Sequence, residues 1–399
     1  MSVLLKTGFS KAIVCPTSVI LGSILLVACG GGGDGGSNDA NTATPPEENN
    51  STLSQIMDAS DYDAFTYFNF DTNQVVELTA EEAKTSQNWH IGFRRTEIVL
   101  NGGTSGSGNV AGALAAVQAD FYNQEEPNAS VFLNATPEAE LEHLTSTIEL
   151  TDLVYQTDAF SYAVSGSGET QGTSLDMGWY NYDFTTHVIS ANTNNMWLLK
   201  SSTGDSYARF STHSLEYGDE LTVTFSFDVQ AKDTHQFVDN SATFTASIPN
   251  TGGKACFDFD TNRSVDCDLN ENWDLQLVLQ GRDFILKTNS GPSGAGRGGA
   301  FGPILISDKS TYLSGTTTAT GADISRHYVG DSNAGIFSDQ SWYAYNLEGG
   351  HKLWPNYRVY IIDTDQTDEQ STQYKLQVTN YYSDTGVSGH PNIRFQDAN

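Results

Sequence analysis

Phe68-Asn69-Phe70-Asp71-Thr72-Asn73 returns later in the chain as Phe257-Asp258-Phe259-Asp260-Thr261-Asn262. In both places two phenylalanines alternate with polar residues and run into Asp-Thr-Asn; after the first, Val75 and Val76 resume the apolar pattern. Alternation with period two buries one row of side chains, and Asp and Asn at the break favour a tight reversal. Each stretch therefore reads as an antiparallel hairpin. The surrounding landmarks also recur in order. Asn88-Trp89 returns as Asn272-Trp273, and the Gly-rich run Asn101 to Gly108 as Asn289 to Gly296. Trp179-Tyr-Asn-Tyr182 returns as Trp342-Tyr-Ala-Tyr345, followed by His187 and His351 respectively. Order kept over so many landmarks marks an internal duplication.

Around these landmarks the texture is β. Leu221 to Val229 (LTVTFSFDV) and Tyr357 to Ile362 (YRVYII) are strand-like, and Gly, Asn, Asp and Ser supply frequent breaks. Helical signals are weak: residues 137–144 (PEAELEHL) and the Ala-rich residues 110–121 are the expected short helices. The fold class expected is mainly β, two tandem antiparallel β domains after a signal peptide and a flexible tether. The joint between copies is expected near residues 236–250, giving domains 55–240 and 241–399.

The N-terminus reads as an export leader, residues 1–28. Lys6 and Lys11 precede the uncharged residues 17–28 (TSVILGSILLVA), which are too few to span a bilayer. Leu26-Val27-Ala28-Cys29-Gly30 has the pattern of a lipobox, in which Cys29 becomes the acylated N-terminus. Residues 29–54, rich in Gly, Asn, Pro and Glu, are expected to be a disordered tether. More than one acyl chain is needed for stable anchoring, which a diacylated and N-acylated cysteine supplies. Gly30, not Asp, follows the cysteine, as expected for transfer to the outer membrane. Cys15 leaves with the leader, so Cys256 and Cys267 remain as an expected disulfide of an exported chain. If Thr261-Asn262 form a two-residue loop, the two cysteines face each other across the hairpin, a structural bridge with no C-x-x-C redox spacing.

A net charge of −30 excludes nucleic acid as a natural partner and favours solubility. No G-x-S-x-G or H-E-x-x-H motif is present, so an enzyme is not expected. The Gly-rich runs lack the Lys-Ser/Thr of a phosphate loop. Asp258-x-Asp260-x-Asn262 opens like a calcium loop, but Arg263 and Leu269 occupy the positions that need Gly and Glu, so it reads as a turn.

Residues 57–70 (MDASDYDAFTYFNF) with Val75-Val76, then Asn88-Trp89, Arg95 and the Asn101 to Gly108 run, resemble the HmuY-like haem-binding lipoproteins. So do the Trp179 block, Asp205 to Arg209 (DSYAR), and in the second copy Tyr360 to Ile362, Tyr374-Lys375-Leu376 and Tyr381-Tyr382 before Gly386. The resemblance covers roughly residues 57–230 and 254–397. It implies an all-β fold, outer-membrane anchoring with the body in the periplasm or on the cell surface, and capture of haem or a related porphyrin for iron acquisition, with an outer-membrane haem receptor as partner. It also implies axial ligands of the histidine or methionine type. His143 and His327 lie in the interval of the first family histidine. His187 and His351 follow the tryptophans, beyond Phe184 and Leu347 at the family's spacing, and Met177 and Met196 are further candidates in the first copy. The alternative is a structural or interaction lipoprotein that keeps the fold without haem.

Overall fold

A computed structural model describes residues 51–124 and 126–398. The leader, Cys29 and the tether up to residue 50 lie outside the described residues. Among the described residues, no helix is long and apolar enough to cross a membrane.

Mainly β structure with several antiparallel sheets is what the alternating runs produce. The strands gather into two sandwiches. In the first, a five-stranded sheet has the order Leu53–Ile56, Ser388–Asp397, Gln373–Tyr382, Val359–Asp363, Ala111–Ala116. It faces a four-stranded sheet ordered Gln74–Val76, Thr66–Asn69, Ile91–Arg94, Glu97–Leu100. Their shared core holds Phe68, Phe70, Ile91, Tyr360, Leu376 and Phe395, with the Phe68 and Phe395 rings 5.6 Å apart. In the second sandwich the five strands are Val238–Pro249, Glu220–Gln230, Tyr207–Tyr217, Asn195–Lys200 and Gly299–Leu305. The facing sheet is Arg263–Val265, Gly253–Asp258, Leu275–Gln280, Asp283–Thr288. Phe257 stacks on Phe244 at 4.9 Å and lies tilted against Phe227 at 5.0 Å across that core.

The sandwiches do not follow the order of the sequence copies. The first joins the opening of the first copy (residues 53–116) to the close of the second (336–397); it is called here the split module. The second is one continuous run, residues 164–305, and is called the continuous module. It pairs the close of the first copy with the opening of the second: Asn195–Lys200 lies against Gly299–Leu305 as Val359–Asp363 lies against Ala111–Ala116.

The chain crosses between modules twice, and the crossings pair with each other. Ala159–Ser161 leads toward the continuous module, Ser332–Ala334 leads back, and the two form an antiparallel ribbon. A buried aspartate precedes each. Asp158 Oδ2 accepts Leu100 N–H (2.9 Å) and Ser105 Oγ–H (2.6 Å); Asp331 accepts Thr288 N–H (3.1 Å) and Ala163 N–H (2.9 Å). These carboxylates satisfy backbone donors where regular ladders stop.

The sequence joint expected at residues 236–250 is instead the twelve-residue strand Val238–Pro249. Ala242, Phe244, Ala246 and Ile248 are buried and alternate with exposed Ser and Thr. Burying a phenylalanine contributes roughly 1.5–3 kcal/mol, enough to hold this stretch in the sheet. Residues 110–121 likewise give the strand Ala111–Ala116, with only a single 3-10 turn, Ala119–Phe121, at their end. Alanine's helical preference is a weak prior. Small side chains are needed here for packing: a Cβ on Gly112 would lie 2.7 Å from Ile336 Cγ2 and 2.9 Å from Leu100 Cδ1. The 137–144 expectation yields the single helical turn Leu141–Thr145. The last tether residues are ordered, since Leu53–Ile56 pairs with the C-terminal strand.

The repeated hairpins close with a four-residue loop, Phe70 to Asn73 and Phe259 to Asn262, because Asn69 pairs with Gln74 and Asp258 with Arg263. Asn73 and Asn262 take φ of 53° and 51°, a left-handed conformation that asparagine tolerates better than most residues. This places Cys256 opposite Val265 rather than Cys267, two residues off the expected register. The Cys256–Cys267 disulfide forms nonetheless, just beyond the strand end, with Cα atoms 5.3 Å apart.

Candidate functional site

The repeated asparagines fix the scaffold from which the site is hung. Asn101 Nδ2 donates to Ser86 O (2.9 Å) and Trp89 O (2.8 Å), and its Oδ1 accepts Gly108 N–H (3.1 Å). Asn289 repeats this with Glu271 O (2.7 Å), Trp273 O (2.8 Å) and Gly296 N–H (3.0 Å). The glycines are needed because side chains would strike these asparagines: a Cβ at Gly106 or Gly294 would fall 2.0 Å from Asn Oδ1. The Gly-rich runs are thus locked turns that fix how the Trp strand meets its neighbour.

In the split module, the strand Ile91–Arg94 turns tightly into Glu97–Leu100 through Arg95 and Thr96. Arg95 has φ 53°. Its guanidinium donates from Nη1 to Ser388 O (3.1 Å) and from Nη2 to Ser388 Oγ (2.8 Å), and lies over Tyr62 at 4.6 Å. Trp342 Nε1 holds the same turn by donating to Thr96 O (3.2 Å). After Trp342 come two short paired strands, Tyr343–Tyr345 and Leu353–Pro355. They stand beside the end of Gln373–Tyr382, and Tyr382 Oη accepts Leu353 N–H (3.0 Å).

Between these elements lies a cleft of about 570 Å³. Its walls are Tyr343, Tyr345, Leu353, Tyr381 and Tyr382; Arg95, Lys352 and His351 bring the charged or titratable groups. Burial raises the Tyr343 and Tyr381 phenols above the usual tyrosine range, so both remain neutral hydrogen-bonding groups. At the mouth, Tyr345 Oη and His351 Nδ1 are 2.6 Å apart. The volume falls within the roughly 300–1,000 Å³ of small-molecule sites, and the mixture of aromatic walls with a few polar groups is typical of them.

The continuous module carries a matching hairpin. Tyr180–Asp183 pairs with Val188–Ala191, and Tyr182 Oη lies 2.7 Å from His187 Nδ1. The tight turn equivalent to Arg95-Thr96 is Gly281-Arg282, joining strands of six residues where the split module has four. An arginine is therefore present in both turns, one position apart.

Of the six haem-ligand candidates, only His351 lines this cleft. His143, on Leu141–Thr145, is exposed and pairs with Glu140 at 3.3 Å. His187 is exposed and bonded to Tyr182. Met177 is 36 % exposed on the turn before Trp179, whereas Met196 is 1 % exposed and packs with Leu198, Ile304 and Ile324 as core. His327 is exposed, its ring edge-on to Phe301 at 5.0 Å. Interleaving also regroups them by module. His143 falls with His351 in the split module, and His187 with His327 beside the continuous one, so neither within-copy pair stays together. The hairpins add two side chains that sequence patterning alone does not mark, Tyr345 and Tyr182. Both stood in the repeated Trp-Tyr-x-Tyr motif, but only the hairpin register brings each against its histidine.

A second cluster lies at the repeated turn of the continuous module, where carboxylate oxygens of Asp258, Asp260 and Asp274 come within 4.8 Å of one another. Asp274 accepts Ser202 N–H (2.7 Å) and Phe259 N–H (3.0 Å), Asp260 accepts Ser206 Oγ–H (2.6 Å), and Asp258 accepts Thr261 N–H (3.0 Å). These bonds account for the cluster as turn caps. Burial raises Asp274 to about 7.

The family described as HmuY protein matches residues 61–228. That stretch begins in the split module and ends in the continuous one. No curated protein matches the sequence. Among solved structures, a Bacteroides vulgatus protein described as HmuY-like and heme-binding is 12% identical, with 88% of this chain and 93% of that chain covered and a TM-score of 0.29. A protein of Bacteroides fragilis described as a lipoprotein is 10% identical over 88% and 92%, with a TM-score of 0.30. The apo HmuY analog of Tannerella forsythia is 10% identical over 87% and 96%, with a TM-score of 0.28. These scores lie below the range of a shared whole-chain fold. The chain thus has a distant, partial relationship to the HmuY family, carried by residues 61–228.

Proposed function

We propose that this chain is an exported lipoprotein that takes haem, or a related porphyrin, into the tyrosine-lined cleft of the split module for iron acquisition. It would then pass the ligand to an outer-membrane receptor. The cleft itself carries the reading: about 570 Å³, four tyrosines and a leucine for an aromatic macrocycle, and Arg95 and Lys352 for its carboxylates. The donor set fits haem iron, since histidine and tyrosine are both established axial ligands. The family match over residues 61–228 and the haem-binding and lipoprotein descriptions of the similar structures point the same way. Acylated Cys29 would hold the body at the outer membrane, and a tether of the length read from sequence would let the cleft range a few tens of ångströms from it, at about 5–6 Å per square root of residue number.

Haemin titration of the purified chain tests this. A saturable Soret shift is expected, weakened by Arg95→Ala through loss of the guanidinium and of the Ser388 clamp. A flat titration would leave the structural or interaction lipoprotein as the better reading.

A further inference from the structure

We propose that the iron-facing ligand of the cleft is the phenolate oxygen of Tyr345, with His351 as its positioning base. This rests on the haem reading above and names the ligand within it. Tyr345 is 49% exposed at the cleft wall, and its Oη stands 2.6 Å from His351 Nδ1. With the His351 proton on Nε2, Nδ1 is the acceptor and Oη–H the donor. When Oη bonds to ferric iron, the phenol proton passes to Nδ1. The imidazole becomes imidazolium, and its exposed ring can return the proton to solvent. No electron is transferred, and one Fe–O bond replaces one O–H bond.

Three observations favour the tyrosine over the histidine. First, the pair is constructed. His351 takes φ 58°, an unfavourable left-handed conformation for a residue with a Cβ, and its N–H is held by Asn346 Oδ1 at 2.9 Å. In this conformation the His351 ring lies against the Tyr345 hydroxyl. Second, the construction recurs. His187 takes φ 59°, its N–H bonds to Asp183 O at 2.8 Å, and its Nδ1 meets Tyr182 Oη at 2.7 Å. The loops differ in length and sequence, so the Tyr–His contact is the feature the two hairpins share. Third, Tyr345 and His351 both line the cleft, but the His351 Nδ1 is already engaged by the Tyr345 hydroxyl, whose oxygen keeps a further lone pair for a ligand.

The test is haemin titration of the full chain and of Tyr345→Phe, His351→Ala and Tyr182→Phe, read by absorbance and resonance Raman. The parent chain should show phenolate-to-iron charge-transfer features. Tyr345→Phe should remove them and cause the largest loss of affinity. His351→Ala should retain them with affinity about 10- to 100-fold weaker, the usual cost of losing a ligand's supporting partner, and should recover as pH rises. Tyr182→Phe should leave them in place. If His351→Ala abolishes binding while Tyr345→Phe keeps both affinity and spectrum, His351 is the ligand; the inference fails while the haem reading stands. Loss of the features with Tyr182→Phe alone would move the ligand to the continuous module and also overturn it. No haemin binding by the parent chain would overturn both.

Discussion

The two repeated turns solve one problem with opposite chemistry. In the split module, Phe70 N–H donates to His90 Nδ1 at 3.2 Å; in the continuous module, Phe259 N–H donates to Asp274 Oδ2 at 3.0 Å. His90 and Asp274 each directly follow the repeated tryptophan, and both are buried. Burial lowers His90, since it penalises the imidazolium more than the nearby Asp71 can repay, and it raises Asp274 to about 7 by penalising the carboxylate. A nearby tyrosine–tryptophan contact is likewise replaced. Tyr67 packs on Trp89 at 4.7 Å, whereas its counterpart Cys256 is bonded to Cys267. One backbone framework thus tolerates different buried groups, provided the N–H of the turn phenylalanine finds an acceptor and the tryptophan is covered.

The largest expected effect concerns the modules as wholes. Cleaving the exposed loop between Gln230 and Val238, through an engineered protease site at Asp233-Thr234, should leave two fragments that co-elute as one particle and part only in denaturant. Each sandwich draws strands from both sides of that loop. Fragments that separate under native conditions would show two copies that fold independently, and would break the interleaved arrangement.

Next come the asparagine locks, where the modules should behave alike. Asn101→Ala and Asn289→Ala each strand two carbonyls and a glycine N–H, so each should cost roughly 3 kcal/mol by denaturant unfolding. A large loss at one site with none at the other would mean that the repeated turns are not equivalent supports. A smaller and one-sided effect is expected from Cys256→Ser with Cys267→Ser. Closing so short a loop stabilises by about 2–3 kcal/mol, and the loss should appear in amide exchange of the continuous module alone.

The smallest effect is the sharpest probe of the His90–Asp274 contrast. His90 has a depressed folded pKa, so its stabilising contribution is full above its ordinary value near 6.5 and is lost as pH falls below it. Asp274 has a raised folded pKa, so its contribution is full below 3.8 and is lost as pH rises toward and through about 7. Lowering pH from 7.5 to 5.5 should therefore deprotect the Phe70 amide and further protect that of Phe259, after correction for intrinsic exchange. Parallel changes at both amides would remove the contrast. Asp158, raised by burial to about 6, adds a gain on acidification to the split module, so the local amides and not the global midpoint are the correct readout.

Much of the architecture was legible because it is local. The period-two runs around Phe68, Phe225 and Ile361 fix strands, the Asp-Thr-Asn triplets fix reversals, and the Asn–Gly spacings fix the locked turns. The strand Val238–Pro249 was hidden by its Ser and Thr content. Ala111–Ala116 was hidden by alanine's preference for helix, which packing against Ile336 and Leu100 overrides. In the site, the tyrosines and histidines of both hairpins could be read as a repeat. Their contact could not, because seven residues from Asn346 to Lys352 in one loop and four from Phe184 to His187 in the other give no common spacing.

The sequence by itself determined that this is an acidic, mainly β chain with an internal repeat and a distant likeness to HmuY proteins. Tertiary structure alone decided which half of each repeat completes which sandwich. Either half presents an apolar sheet face that any matching partner face can bury, and the hydrophobic effect is non-directional. Direction returns in the hydrogen bonds that join the two copies: the crossing ribbon, Ala163 N–H to Asp331, Thr104 to Asn333, and the strand pairs Asn195–Lys200 with Gly299–Leu305 and Val359–Asp363 with Ala111–Ala116. That choice sets Arg95, from near the chain's start, beside Tyr345 and His351, from near its end, and so creates the cleft.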